Sequence, residues 1–244
     1  MSPPVSAESL SPLEQQQLHV ADPAAETFWH RVRFRLVAAM AIDSGATAVL
    51  DIGAGSGLLG DWLYRHHPEL GYRFEELSPA LDSDLAARFG ADARGDGGPI
   101  AADTFVVMLD VLEHIADDAG ALHELLARMS PGGRAAITVP ALQWAFSSWD
   151  DALGHQRRYS RARLRALASA CGFRVVSAAY LFPELLPLLP VRMLRKGARA
   201  DVDFPRFGAA VTRVGEAIGN TTTRLRRAWP AGTSVVVLLE KPAP

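Results

Sequence analysis

The chain has one cysteine among 244 residues, no surplus of positive charge and no long apolar run. Cys171 alone cannot form an internal disulfide and has no partner for a thiol site, so a reducing, cytoplasmic setting is the default expectation. Lys and Arg number 25 against 27 Asp and Glu, a formal net charge of -2, so the basic footprint of a nucleic-acid binder is missing. The most apolar stretch, residues 181–191, is interrupted by Pro183, Pro187, Pro190 and Glu184 and falls short of the about 20 residues that span a bilayer. Basic Arg192, Arg195, Lys196 and Arg199 follow it, so peripheral membrane contact through 181–199 stays open beside packing on the sheet or on a second copy in a homodimer. Residues 1–22 are rich in Ser, Pro and Gln, lack the basic start and apolar run of a secretion signal, and read as a disordered tail. No internal repeat is visible.

What is present fits one α/β domain over residues 23–244. Apolar residues make up 49% and charged residues 21%, enough for a full core at this length. Apolar runs predict strands near 47–52, 72–77, 90–93, 104–109, 134–139, 173–180 and 233–240. Helical patterns fill the gaps at 57–67, 79–89, 117–129 and 160–171, with Pro68, Pro131 and Gly172 as stops. Ahead of them, Phe28, Val32, Leu36 and Met40 recur one turn apart and predict a helix over 24–41. The 181–232 region is too long for a hairpin loop and should hold helices of its own.

The richest string is Val49-Leu50-Asp51-Ile52-Gly53-Ala54-Gly55-Ser56-Gly57. A strand that stops at Ile52 must turn sharply, and Gly53, Gly55 and Gly57 lack the Cβ that would keep the backbone off a ligand. Gly55, Gly57 and Gly60 also fit the dinucleotide spacing G-x-G-x-x-G, which keeps an NAD-dependent oxidoreductase as an alternative. Register disfavours it, because strand residues end three positions before Gly55. Asp51 would also face a dianionic pyrophosphate, whereas a carboxylate suits a cationic ligand.

This string resembles the first motif of class I S-adenosylmethionine-dependent methyltransferases. The resemblance implies a doubly wound, mostly parallel, seven-stranded Rossmann-like sheet with an antiparallel last strand, preceded by a helical insertion at 181–232. It implies S-adenosylmethionine as cofactor, its ammonium and sulfonium near Asp51 and the loop Gly53, Ala54, Gly55 and Gly57. Glu76 in Glu75-Glu76-Leu77-Ser78-Pro79 matches the family's acidic-x-Ser-Pro pattern and implies a ribose ligand, with Leu77 beside it. Asp92-Ala93 stands where the family contacts adenine, with Asp96 as rival. The stretch Leu109-Asp110-Val111-Leu112-Glu113-His114-Ile115 is similar to the segment after the fourth strand in small-molecule and lipid methyltransferases, including quinone-precursor O-methyltransferases. It puts Asp110 near the cofactor and makes His114 a candidate base, with a loop-holding histidine as the equal alternative. Asp110, Glu113 and His114 occupy one short stretch without the repeated spacing of a metal centre, so no metal is assigned and a divalent ion stays open as the lesser alternative.

After the strand at 134–139 comes a loop with Trp144, Phe146, Trp149 and Asp150, ending in Gly154-His155-Gln156-Arg157-Arg158-Tyr159-Ser160. It resembles a subset of class I methyltransferases met in lipid and glycan biosynthesis. Trp144, Trp149, His155, Arg158 and Tyr159, together with Trp29 and His30 from the first helix, are the candidate acceptor residues, and His155 joins His114 and Asp110 as candidate catalytic groups. The competing reading is an ordinary helix start with Ser160 as cap. The expected activity is methyl transfer to a small or lipid-like acceptor, more readily at oxygen; a catalytically silent cofactor-binding relative is the second alternative.

Overall fold

A computed structural model describes residues 26–190 and 208–243, together with Glu14 and Gln17. Among these, six strands form one sheet in the order β2-β1-β3-β4-β6-β5. They are β1 (Ala48–Ile52), β2 (Gly71–Glu75), β3 (Thr104–Leu109), β4 (Arg134–Pro140), β5 (Arg174–Leu181) and β6 (Ser234–Glu240). The first four are parallel, and β6 runs antiparallel between β4 and β5. Helices α1 (Phe28–Asp43), α2 (Leu58–His66), α3 (Pro79–Phe89), α4 (Asp118–Arg128), α5 (Ser148–Ala152), α6 (Arg161–Ala170) and α7 (Ala209–Arg224) make the connections.

The central strand β3 shows why its sequence is apolar throughout. Phe105 and Val107 enter one buried cluster with Val32, Phe34, Trp62 and Phe74, while Val106 and Met108 enter another with Leu122, Leu125 and Leu164. A strand covered on both faces cannot alternate apolar with polar. Helix α1 lies close against α7: a Cβ at Gly215 would stand 2.7 Å from Phe28, and Glu216 accepts from Arg31 at 2.9 Å and Arg35 at 2.8 Å.

The seventh strand expected at 90–93 does not form. Residues Ala91–Ala93 make a single 3-10 turn, and only an isolated bridge between Phe74 and Arg94 remains of the pairing. Gly90, at φ +91°, breaks out of α3, and the following Gly95, Gly97 and Gly98 offer no side chains to pack on a sheet. Asp96 instead folds back to accept from Gly98 N at 2.9 Å. Strand β2 likewise ends at Glu75, leaving Leu77 in the following loop and 98% exposed. In the insertion, Pro183–Leu188 form a 3-10 helix and α7 follows; residues 191–199 of the expected membrane contact lie outside the described residues, as does the 1–22 tail apart from Glu14 and Gln17.

The order of strands reverses between β1 and β3. Open α/β sheets bind ligands outside the carboxyl ends of the strands at such a point. The loops after β1, β2, β3 and β4 therefore frame the site.

Candidate active site

The loop after β1 is held open by backbone conformation. Gly53, Gly55 and Gly57 have φ of +71°, +55° and +70°, a region that side chains disfavour. A Cβ at Gly53 would stand 2.7 Å from Val111, and one at Gly57 would stand 2.5 Å from buried Leu85. Glu76 binds the loop to β2: its Oε2 accepts from Gly55 N at 2.8 Å and its Oε1 from Ser78 N at 2.9 Å. Gln17 Oε1 accepts from Ser56 N at 3.0 Å, and Glu14 accepts from Ser78 Oγ at 2.5 Å, so the chain ahead of α1 reaches the loops after β1 and β2. Asp51 is buried below the turn and accepts from Tyr72 Oη at 3.1 Å. Burial pushes its carboxyl up to about 7, only partly offset by the tyrosine.

Past β3, the chain turns through Asp110, a non-glycine residue at φ +57°. Such strain persists only where surrounding contacts enforce it. Here Asp110 N donates to Thr138 O at 2.9 Å, Thr138 Oγ1 donates to Oδ1 at 3.2 Å, and the buried guanidinium of Arg33 on α1 grips Oδ2. Burial works to raise the Asp110 carboxyl, but Arg33 and Thr138 prevail and hold it below the usual carboxylate range. Leu112–His114 then form one 3-10 turn. Glu113 is fully buried and neither of its carboxyl oxygens has a hydrogen-bond partner among the described residues. Burial, with the charge of Asp110 second, pushes its carboxyl well above the ordinary glutamate value. Burial and neighbouring His155 keep His114 below the ordinary histidine value.

The loop after β4 supplies the third wall. Asp150, buried on α5, accepts from Arg158 through Nε at 2.8 Å and Nη2 at 2.9 Å, and from Ser147 N at 2.9 Å. His155 Nδ1 stands 2.8 Å from the same carboxylate, and its Nε2 faces Glu113 Oε1 at 4.0 Å. Gln156 N donates to Glu113 O at 2.7 Å, tying this loop to the turn after β3. The rings of His114 and His155 meet edge to face, 4.7 Å between centroids.

Family comparison gives this geometry its chemistry. A family model described as a methyltransferase domain matches residues 25–178, well over half of the chain. The chain belongs to this methyltransferase family. S-adenosylmethionine is its cofactor. Solved structures agree in fold. A chain from the complex between the Haloferax volcanii Trm112 methyltransferase activator and its partner superposes with a TM-score of 0.57 at 18% identity, covering 96% of this chain and 99% of that one. A protein from Galdieria sulphuraria described as a sarcosine dimethylglycine methyltransferase gives 0.53 at 18% identity over 86% and 85%. Haemonchus contortus phosphoethanolamine N-methyltransferase 2, in complex with S-adenosyl-L-methionine, gives 0.50 at 16% identity over 81% and 49%. No curated protein matches the sequence. At these identities the structural likeness speaks for the fold alone.

Within the methyltransferase, Asp51, Gly53, Ala54, Gly55, Gly57 and Glu76 surround one turn, and Asp110, His114 and His155 gather across Val111 from it. Leu77 projects from the loop after β2, and Asp92 and Ala93 lie on the 3-10 turn that replaces the expected strand, Asp92 exposed. Trp144 is 63% exposed on the β4 loop, and Trp149 is half-buried on α5. Trp29 is half-buried and packs edge-on to Phe28. His30 accepts from Thr27 N at 3.3 Å, closing the start of α1, and burial with nearby Arg33 depresses it to about 3. Arg158 and Tyr159, expected at the acceptor, lie inside the protein: Arg158 is spent on Asp150 and Ala141 O, and Tyr159 Oη donates to Asp118 at 2.8 Å. Sequence reasoning missed Arg33, which reads as one surface arginine of three on an amphipathic helix, and the role of Asp150, whose partners stand five and eight residues away across a loop.

Proposed function

We propose that this methyltransferase transfers the methyl group of S-adenosylmethionine to a hydroxyl of a small or lipid-like acceptor. The observation that carries the reading is the paired imidazoles of His114 and His155, 4.7 Å apart, beside a turn whose Val111 packs against Gly53 of the cofactor loop. In the reaction the acceptor oxygen attacks the methyl carbon, the C–S bond breaks with its electrons passing to sulfur, and a neutral thioether leaves. The protein supplies alignment, which accounts for much of the rate. A hydroxyl must also lose its proton, and the His114–His155 pair is the place for that loss. Glu76 and the glycine turn take the nucleoside and methionine portions, and Asp51 faces the cationic end. Asp92 and Leu77 border the adenine, while Trp144, Trp149 and Trp29 flank the acceptor.

A lipid-like acceptor is supported by the outer face of α7, where Val211, Val214 and Ile218 are exposed one turn apart and line an apolar groove with Phe28 and Glu184. No helix of the described residues is long and apolar enough to cross a membrane, so contact would be peripheral. Incubation of the pure protein with isotopically labelled methyl donor and a fractionated lipid and metabolite extract tests the proposal. Label should enter a hydroxyl compound as an ether and should fall with Glu76→Ala at limiting methyl donor; label on an amine or carbon would replace the oxygen reading.

A further inference from the structure

We propose that Glu113, His114 and His155 bind a divalent first-row transition-metal ion of the zinc type at the acceptor end of the site. One ligand atom from each of the three lies within 4.8 Å of the other two. Ligands around a zinc ion stand about 3–3.5 Å apart, so side-chain adjustments of about an ångström would close the set. This inference rests on the proposed function and refines it: the histidine pair would hold an ion that lowers the pKa of the acceptor hydroxyl, in place of taking its proton directly.

Glu113 supplies the independent observation. It is 0% exposed, and both carboxyl oxygens are without a hydrogen-bond partner among the described residues. A buried polar group left so is costly, and more so when charged, so a fold that keeps one points to a ligand for it. His155 Nε2 stands 4.0 Å from Glu113 Oε1, beyond hydrogen-bond reach.

The setting of His155 completes the case. Asp150 collects donors from Arg158 and Ser147, so it is an ionised acceptor and His155 Nδ1 must carry the proton that points at it. The Nε2 lone pair is then turned toward Glu113. A carboxylate that fixes the tautomer and orientation of a histidine ligand is the common outer layer of metal sites. Two imidazoles and one carboxylate suit zinc-like ions over magnesium or calcium, which prefer all-oxygen shells. Three protein ligands leave a position for an acceptor oxygen. Asp110, held by Arg33, stays outside the set.

The test uses the full chain, stripped with chelator and desalted, titrated with Co2+ and followed by its visible absorption and by calorimetry. We expect one ion per chain, displacement by Zn2+, and no comparable uptake of Mg2+. Glu113→Gln and His114→Gln should each weaken Co2+ binding by more than about tenfold while heat with S-adenosylhomocysteine is retained. His114 is half-buried and serves if Glu113→Gln fails to fold. Absence of stoichiometric uptake, or Co2+ affinity unchanged in the variants, overturns the site. Because the readout needs no methyl donor, that failure is separate from loss of cofactor binding, which would strike the proposed function.

Discussion

The two halves of the sheet's carboxyl edge are built on different principles. The half proposed to hold the cofactor is backbone: three glycines at positive φ, closed by a single carboxylate, Glu76, from the next loop. The half proposed to face the acceptor is side chain: Asp150, His155 and Arg158 form one hydrogen-bonded set beside buried Glu113, and the partly exposed Asp110 pairs separately with Arg33 of α1. Backbone recognition suits a ligand that never changes. Side-chain recognition can be rewritten residue by residue, and the fold keeps it apart from the cofactor turn.

If the acceptor half rests on Asp150, breaking it should cost most. Asp150→Ala leaves the Arg158 guanidinium buried without its partner, and urea unfolding should show a loss of about 3–5 kcal/mol; a loss below about 1 kcal/mol would mean the network is not what holds the loop. The same carboxylate gives a pH signature. Burial opposes its ionisation, yet hydrogen bonds from His155 and Arg158 bring it down to about 2, below its unfolded value near 3.9. Its stabilisation is therefore present above about pH 4 and fades as pH falls toward 2, which acid unfolding of wild type against Asp150→Asn will register.

The backbone half should break differently. Gly53→Ala puts a Cβ 2.7 Å from Val111 at φ +71°. The left-handed conformation alone costs about 1–2 kcal/mol, so cofactor affinity by calorimetry should fall about tenfold or more while the acceptor loop stays folded. Asp51 sharpens the contrast further. With its carboxyl near 7 in the free protein, a cationic cofactor must displace a proton below that pH. Affinity for S-adenosylmethionine should tighten as pH rises from 6 to 8, with proton release detectable in buffers of different ionisation heat. The smallest effect is at Trp144, whose exposed ring contributes little to stability: Trp144→Ala should unfold within about 0.5 kcal/mol of wild type yet raise KM for the acceptor.

The same contrast explains what the sequence made legible. The glycine turn and Glu76 are 21 residues apart and announced by local pattern, so their meeting could be anticipated. Strand β3 and helix α3 appear over the expected residues because one is a continuous apolar run and the other has Ser78 as cap and Pro79 at its start. The strand at 90–93 was not legible as absent, since its failure depends on Gly90 turning the chain out of α3 and residues 91–93 closing into a 3-10 turn, so that only Arg94 reaches Phe74 as a bridge. Glu113 and His155 are 42 residues apart, in loops whose approach is set by Gln156 and Arg158, and no spacing rule joins them. Arg158 and Tyr159 read as ligand groups because their burial is a property of the folded loop.

The central claim, that the turn after β1 together with Glu76 grips S-adenosylmethionine, is tested most directly by titrating S-adenosylhomocysteine into the wild type and Glu76→Ala in a calorimeter. One site per chain is expected, weakened about tenfold or more when the charged acceptor is removed. Equal affinity in the two proteins, or no heat in the wild type, would contradict the account.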